Sequence, residues 1–422
     1  MMLAVGTELE KHFRNSLCCA QFGGGLILRI QPFIRGENGF NIPKSLEQPE
    51  ILEKSFLNMS LKHSINMNWL PAEQKLSFQE FFQRSAQEEE LRYEFNENGE
   101  LRHTETQRPY VFNYYKNALE RNSRRHRALG RFLERYVYAL LEQVCRLKRV
   151  YIPTDAAARE PRSCFFMSEE APANPTLLVL LQDRGVLRAG QWGQRTVIHD
   201  GLRHGTQIAC VRMALQWHWD VVVLNPNDNF SDLKVEGEGE SGPAPSETPR
   251  AGAPSSPRQA GRLVPKRCSG TPEEHTTYIW DHFISKSPAR DVAFVCHGYG
   301  GLVFMELLSQ KRGEVMGKVF AVALVDSGHH VGHQLGRDEL LSGWVQQHCR
   351  EWVTSPNRLD KPTGSVLKAD CPKVSAGTEK PGLALSCSLR SIFKFFKTAL
   401  RAKTVVSSRA PIVTRSSTKR KP

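Results

Sequence analysis

The stretch Asp291-Val-Ala-Phe-Val-Cys-His-Gly-Tyr-Gly-Gly301 has the composition of a buried strand running through a sharp glycine turn into a helix. Such a strand-turn-helix, written G-x-S-x-G, lifts a nucleophilic serine out of the backbone and presents its hydroxyl for acyl transfer. The position where that serine belongs is Gly298. Glycine has no hydroxyl or thiol, so the shape of the turn is present without its chemistry. Cys296 and Gly300 flank it with the small side chains a tight turn needs. The nucleophile of such a turn is held in a strained backbone conformation, which glycine adopts without steric cost. An ordinary strand-turn-helix junction that never carried a nucleophile has the same signature, and both readings stay open on these residues alone.

A second group that can do chemistry lies further on. Asp326 ends an apolar run, and His329, His330 and His333 follow it closely. A carboxylate with a nearby imidazole can act as a general base on water. Ligands favour the carboxyl ends of strands in open α/β sheets, which is where this group falls. His329 and His333 are four residues apart, but no third ligand accompanies them, so no metal site is expected. The other reading is a histidine-rich loop over a vacant cleft. Cys296 reads as a small core residue and His297 as a packing residue.

The elements that position these groups follow from periodicity. Thr176–Leu181, Asp220–Asn225, Asp291–His297 and Val319–Asp326 read as buried strands, and Cys371–Gly377 as the last one. Between them lie helical patterns over Gly205–Trp217 and Leu302–Gln310. Another helix opens at Thr271, with Pro272 in its first turn and Glu274 completing a capping box. A strong amphipathic helix is predicted from Leu129, Phe132, Leu133, Tyr136, Val137, Leu140, Leu141, Val144 and Leu147. A closing helix buries Leu389, Ile392, Phe393, Phe396 and Leu400, and a hairpin turns at Asn98-Gly99. Apolar strands alternating with helices predict an α/β fold, with a mostly parallel sheet covered by helices on both faces.

Residues 1–83 form an N-terminal extension without an assignable pattern. The α/β unit is expected in two parts, 84–234 and 271–402, separated by 235–270. That stretch is rich in Gly, Pro, Ser, Glu and Arg, and reads as a disordered linker insertion. Residues 403–422 read as a basic tail. The net charge of +13 is concentrated, since Lys380–Pro422 holds 11 Lys or Arg and no Asp or Glu. A second basic run contains Arg121, Arg124, Arg125 and Arg127. These arginines, with Lys419, Arg420 and Lys421 of the tail, are the candidate contacts for nucleic acid or an acidic partner. The alternative is a solvated helix face and a solubilising tail.

No apolar run reaches the roughly 18 residues of a membrane span. Leu17–Leu28 is broken by Gln21 and three glycines and does not read as a signal peptide. Ten scattered cysteines without a C-x-x-C pair read as reduced thiols of a nuclear or cytosolic protein.

Several motifs stand together in the chain: Val-Leu-Arg-Ala-Gly-Gln-Trp, Val-Val-Val-Leu-Asn-Pro-Asn, Pro-Glu-Glu-His-x-x-Tyr-x-Trp-Asp-His-Phe-Ile, Cys-His-Gly-Tyr-Gly-Gly and Cys-Pro-x-Val-Ser-Ala-Gly-Thr. With them the chain resembles the Argonaute-binding (Arb-two) domain family over roughly residues 85 to 400. More closely, it resembles the vertebrate cotranscriptional regulators of that family, as a second, B-type paralogue. The resemblance implies an α/β-hydrolase-like domain. It also implies a place in small-RNA-directed heterochromatin assembly and in chromatin-linked alternative splicing. The expected partners are an Argonaute-containing complex and chromatin or splicing factors, with small RNA (siRNA) contacted indirectly. Localisation would be nuclear, with the cytoplasm as the alternative, and no cofactor is implied.

Three chemical positions depart from the family pattern. The elbow serine is Gly298. The family's Gly-Thr-Asp-x-His becomes Gly377-Thr-Glu-Lys-Pro381, so Glu379 keeps a carboxylate and Pro381 replaces the imidazole. The oxyanion-type loop His-Gly-Ser-Gly becomes Gln182, Asp183, Arg184 and Gly185. Acyl transfer needs nucleophile, base and oxyanion donors together. The expectation is therefore a non-catalytic binding module, a pseudoenzyme with no catalytic residue. The alternatives are a serine-independent hydrolase using Asp326 and a nearby histidine, and a degenerate paralogue without selected function.

Overall fold

Strands composed of branched apolar residues can be covered on both faces, and the centre of this sheet is built from them. The computed structural model describes residues 92–169, 175–233, 262–364 and 371–408. The extension 1–83, most of 235–270, and Lys419, Arg420 and Lys421 lie outside the described residues. The strands are β1 (Tyr93–Phe95), β2 (Leu101–His103), β3 (Leu147–Ile152), β4 (Ser163–Ser168), β5 (Thr176–Leu181) and β6 (Asp220–Val223). They continue with β7 (Phe230–Leu233), β8 (Arg262–Pro265), β9 (Asp291–His297), β10 (Val319–Val325), β11 (Cys349–Val353) and β12 (Lys373–Ser375).

Eight of these form one sheet in the order β12-β11-β10-β9-β5-β6-β4-β3. From β12 to β6 every pairing is parallel, and β4 and β3 add antiparallel strands at one edge. All residues of β5, β6 and β10 are buried, as double-sided covering demands. The chain leaves β5 toward β6 on one side and β9 continues on the other, so the sheet changes direction between β5 and β9. At that switch point Leu181 is level with Cys296, and His297 with Val325. The loops beginning at Gln182, Gly298 and Asp326 therefore open on one crest, where open α/β sheets place their ligands.

The faces are covered by helices. Helix α1 (Leu119–Ala139) continues as a wider turn over Leu140–Val144. Arg146 then stands at φ +56°, which ends the helix, so Leu147 opens β3 and is not part of the helix as its spacing suggested. Next come α2 (Gln194–Asp200), α3 (Leu202–Gly205) and α4 (Ile208–Gln216). Helix α5 (Pro272–Ile279) is followed by α6 (Gly300–Gln310), α7 (Arg312–Lys318), α8 (Val331–Gln334), α9 (Glu339–His348) and α10 (Ala384–Ser408). On one face Phe294 meets Phe304 at 5.0 Å between ring centroids, above buried Trp280. Elsewhere Phe393 and Phe396 of α10 pack against Trp219.

Two expected boundaries move. Strand β8 occupies the end of the stretch read as linker, because it pairs antiparallel with β7. Helix α10 runs through Ser408, into the stretch read as tail. The cap is as predicted at Thr271, whose Oγ1 accepts the Glu274 N–H at 3.1 Å. The Glu274 carboxylate accepts from the Gly270 N–H, one residue before the usual position.

His275, fully buried in α5, holds the crest together. Its Nε2 accepts the Asn225 N–H at 3.0 Å, which fixes the neutral ring with the proton on Nδ1, facing Ser269 Oγ at 3.0 Å. Ser269 Oγ donates to the Asp228 carbonyl. Asn225 in turn accepts from the Ala189 N–H and donates to Tyr138 Oη. Burial pulls the His275 pKa from 6.5 down to about 3. The unfolded chain takes up a proton below about pH 6.5 that the native ring refuses, so stability falls as pH drops from there toward 3. One such site gives a slope of about 1.4 kcal/mol per pH unit. Urea unfolding of parent and His275→Gln between pH 7 and 4 should differ by that slope; parallel profiles would show that the native ring takes the proton.

Candidate functional site: a filled elbow

The turn after β9 has the geometry of a nucleophile elbow. Gly298 lies at φ +53°, in the left-handed region, and its N–H donates to the Val325 carbonyl at 3.0 Å. Gly301, in the first turn of α6, admits Ser327, since a Cβ there would fall 1.9 Å from Ser327 Oγ. The space above Gly298 is occupied. A Cβ at this position would lie 2.4 Å from Asp183 Cγ and 2.6 Å from Asp183 Oδ1.

Asp183 comes from the loop after β5, and its carboxylate satisfies the donors around the turn. Oδ1 accepts the Tyr299 N–H at 2.7 Å and the Arg184 N–H at 2.9 Å. In a working elbow the N–H following the nucleophile, with one from a neighbouring loop, forms the oxyanion hole. Here one carboxylate oxygen takes both. The N-terminal end of α6 also favours an anion at this point. The loop is fixed by Asn227, which donates to the Asp183 carbonyl at 2.8 Å and accepts the Gly185 N–H at 3.1 Å. Gln182 is buried and accepts from Gln207 Nε2, and the exposed Arg184 lays its guanidinium 4.7 Å from the Tyr299 ring centroid. Asn225 and Asn227 of the Val-Val-Val-Leu-Asn-Pro-Asn motif thus act through the loop that carries Asp183.

The other sequence-predicted residues do not assemble beside this carboxylate. Both Asp326 oxygens accept from Thr354, Oδ1 from its N–H and Oδ2 from its hydroxyl, each at 2.6 Å. His329 turns to Ser327 Oγ at 3.0 Å and faces Cys371 Sγ at 3.9 Å. His333 is exposed and packs edge-on against His330 at 4.4 Å. Glu379 is exposed, with no hydrogen bond or ion pair among the described residues, and Pro381 opens a short 3-10 turn. Cys296 is wholly buried, and burial pushes its thiol pKa well up. The group that sequence reasoning undervalued is His297. Its Nδ1 is enclosed without a hydrogen-bond partner. Burial lowers its pKa, with the charges of Asp183 and Asp326 opposing that shift. The sequence signal was its place at the strand end beside Gly298.

The basic run is divided: Arg125 is buried, while Arg121, Arg124 and Arg127 are exposed. Arg125 is buried, contrary to its expected role as a surface contact. It donates to the Val111 carbonyl and to Tyr93 Oη, both at 2.9 Å, and stands 4.5 Å and 4.6 Å from the ring centroids of Tyr110 and Tyr114. Arg121 stacks 3.7 Å from the Tyr115 centroid, and Arg124 pairs with Glu120 on the helix surface. Arg127 is exposed and has no ion-pair partner among the described residues. The reason is the aromatic hairpin and loop before α1, which close over one face of the helix.

Parallel sheet, switch-point crest and elbow define an α/β-hydrolase-like protein whose nucleophile position is a glycine covered by a carboxylate. Residues 85–359 match the Arb2 domain, and the chain belongs to the Arb2 domain family. It is 60 % identical over 357 residues to the human protein ARB2BP, covering 82 % of this chain and 99 % of that one. It is 42 % identical to the human cotranscriptional regulator ARB2A, covering 78 % of this chain and 84 % of that one. Among solved structures, one titled as the histone deacetylase Clr3 aligns at TM-score 0.38 and 12 % identity, over 64 % of this chain and 39 % of its own.

Two outcomes follow. Gly298→Ser should destabilise the fold by roughly 1–3 kcal/mol through overpacking and backbone strain. The cost should shrink by at least about 0.5 kcal/mol when Asp183→Gly is present, a coupling that a double-mutant cycle in urea measures; additive effects would mean the two positions do not compete for one space. Arg125→Ala should cost roughly 2–4 kcal/mol, from a desolvated cation–π group and charged hydrogen bonds, while Arg127→Ala stays within about 0.5 kcal/mol.

Proposed function

We propose that this protein is a non-catalytic binding module of a nuclear gene-regulatory complex, working with Argonaute in heterochromatin assembly and cotranscriptional control of splicing. The observation that carries the non-catalytic part is the Asp183 carboxylate seated over Gly298, with the Tyr299 N–H of the elbow and the Arg184 N–H of its own loop on one oxygen. A substrate carbonyl would meet a negative charge at the point where its own oxyanion must form, and no hydroxyl or thiol stands behind it. The regulatory part is supported by family membership and by the 42 % identity to a protein named a cotranscriptional regulator.

The hydrolase based on Asp326 and a nearby histidine finds no support in the geometry. The carboxylate is engaged twice by Thr354, and the histidine hydrogen bond goes to Ser327. Small RNA contact through the basic run would rest on Arg127 and the exposed edges of Arg121 and Arg124.

The test is a pull-down of the tagged full-length protein from nuclear extract, with and without ribonuclease, probed for Argonaute. Recovery that survives ribonuclease is expected for a direct protein scaffold. Recovery only without ribonuclease would assign the association to bridging RNA, and none in either arm would remove the Argonaute role. In parallel, a panel of ester and thioester substrates should show no turnover; turnover abolished by Asp326→Asn would instead establish the hydrolase.

A further inference from the structure

At the other end of the crest, three buried side chains from three separate segments point at one another. His329 comes from the loop after β10, Glu351 from the middle of β11, and Cys371 from just before β12. Their exposures are 6 %, 1 % and 0 %. One ligand atom of each lies within 4.8 Å of the others. The pair for which the distance is resolved, His329 Nε2 and Cys371 Sγ, stands at 3.9 Å. A tetrahedral ion with a metal–sulfur bond of about 2.3 Å and a metal–nitrogen bond of about 2.0–2.1 Å separates its donors by about 3.6 Å. For this pair the difference is a few tenths of an ångström, and the Glu351 carboxylate oxygen, within 4.8 Å of both donors, closes on the ion by a side-chain movement of its own.

The supporting shell is also present. Ser327 Oγ bonds His329 Nδ1 at 3.0 Å, which orients the ring and leaves Nε2 toward the cysteine. Glu351 Oε1 accepts the Ser327 N–H at 3.2 Å, so the same serine fixes two of the three donors. Glu351 Oε2 lies 3.0 Å from Lys373 Nζ, and the lysine side chain is about a third exposed while the carboxylate is enclosed. An ammonium on a long, partly solvated stem is the ordinary stand-in for a cation at such a carboxylate, and it can swing out to solvent.

We propose that His329, Glu351 and Cys371 form a binding site for one divalent ion of the zinc class, with Lys373 as its internal competitor. The mixed nitrogen, oxygen and sulfur donors select a borderline-soft ion and not magnesium or calcium. The ion would tie the β10 loop to the start of β12 across β11, at the edge of the sheet away from β4 and β3. The i, i+4 pairing of His329 with His333 plays no part in it, because His333 faces solvent.

The test is titration of the reduced full-length protein with Co²⁺, read by absorption, with Zn²⁺ back-titration. One equivalent should bind with the thiolate-to-cobalt band and the visible bands of a tetrahedral site, and Zn²⁺ should displace it. Lys373→Met should tighten binding, read as a lower Co²⁺ dissociation constant than the parent's. Cys371→Ser and His329→Ala should lose the charge-transfer band, while Cys387→Ser, an exposed cysteine elsewhere, keeps it. The Lys373→Met arm guards against variants that merely fail to fold, since it must gain affinity. Absence of the band in both the parent and Lys373→Met, or its survival in Cys371→Ser, would overturn the site.

Discussion

A buried turn with unsatisfied N–H groups and a helix N-terminus needs negative charge close by. In this protein the Asp183 carboxylate supplies it, and the arrangement of the crest follows from that one requirement. To reach Gly298 the aspartate must sit two residues past β5, in a loop held by Asn227. Position 298 must lack a side chain, because the carboxylate takes its volume. Asn225 and His275 then hold the strand end from which Asn227 hangs. The motifs around β5, β6, α5 and β9 therefore belong to one hydrogen-bonded unit, joined in space at the switch point of the sheet.

This gives a physical account of how a hydrolase-like scaffold persists without hydrolase groups. The elbow and its two donors are a polar concavity, which is costly to leave unpaired in a packed fold. A working enzyme leaves them to water and substrate. Here the polypeptide satisfies them itself, so the crest becomes rigid structure. On the proposed reading, a partner would be bound by surfaces other than the cleft.

Much of this was legible in the sequence, and the misses have identifiable causes. The fully apolar runs of β5, β6, β9 and β10 and the cap at Thr271 declared themselves, because branched residues without polar interruptions have few alternatives to a buried strand. The glycine at 298 was compatible with an emptied elbow and with an ordinary turn, and only the family pattern separated the two. Strand β11 was hidden by Arg350 and Glu351, since a buried glutamate reads as surface until its partner Lys373 is known from the neighbouring strand. Strand β4 was hidden by its short apolar stretch between serines. Asp183 was noted only as a departure from a pattern. Its role depends on a contact across 116 positions of sequence, which no local signal contains. His329, Glu351 and Cys371 are likewise joined only by the parallel order of β10, β11 and β12.

The aromatic enclosure of Arg125 changes how the protein's charge should be counted. The chain carries a formal +13, and by its letters the run in the first turns of the long helix offers a dense cationic stripe to a polyanion. One guanidinium of that run is sealed among tyrosines, a second lies over a ring, and a third pairs at the surface with the glutamate a turn away. Counterion release depends on charges that can reach phosphates, not on charges present in the chain. Arg125 is therefore lost to an approaching nucleic acid, and the charges within reach on this face are those of the exposed Arg121, Arg124 and Arg127.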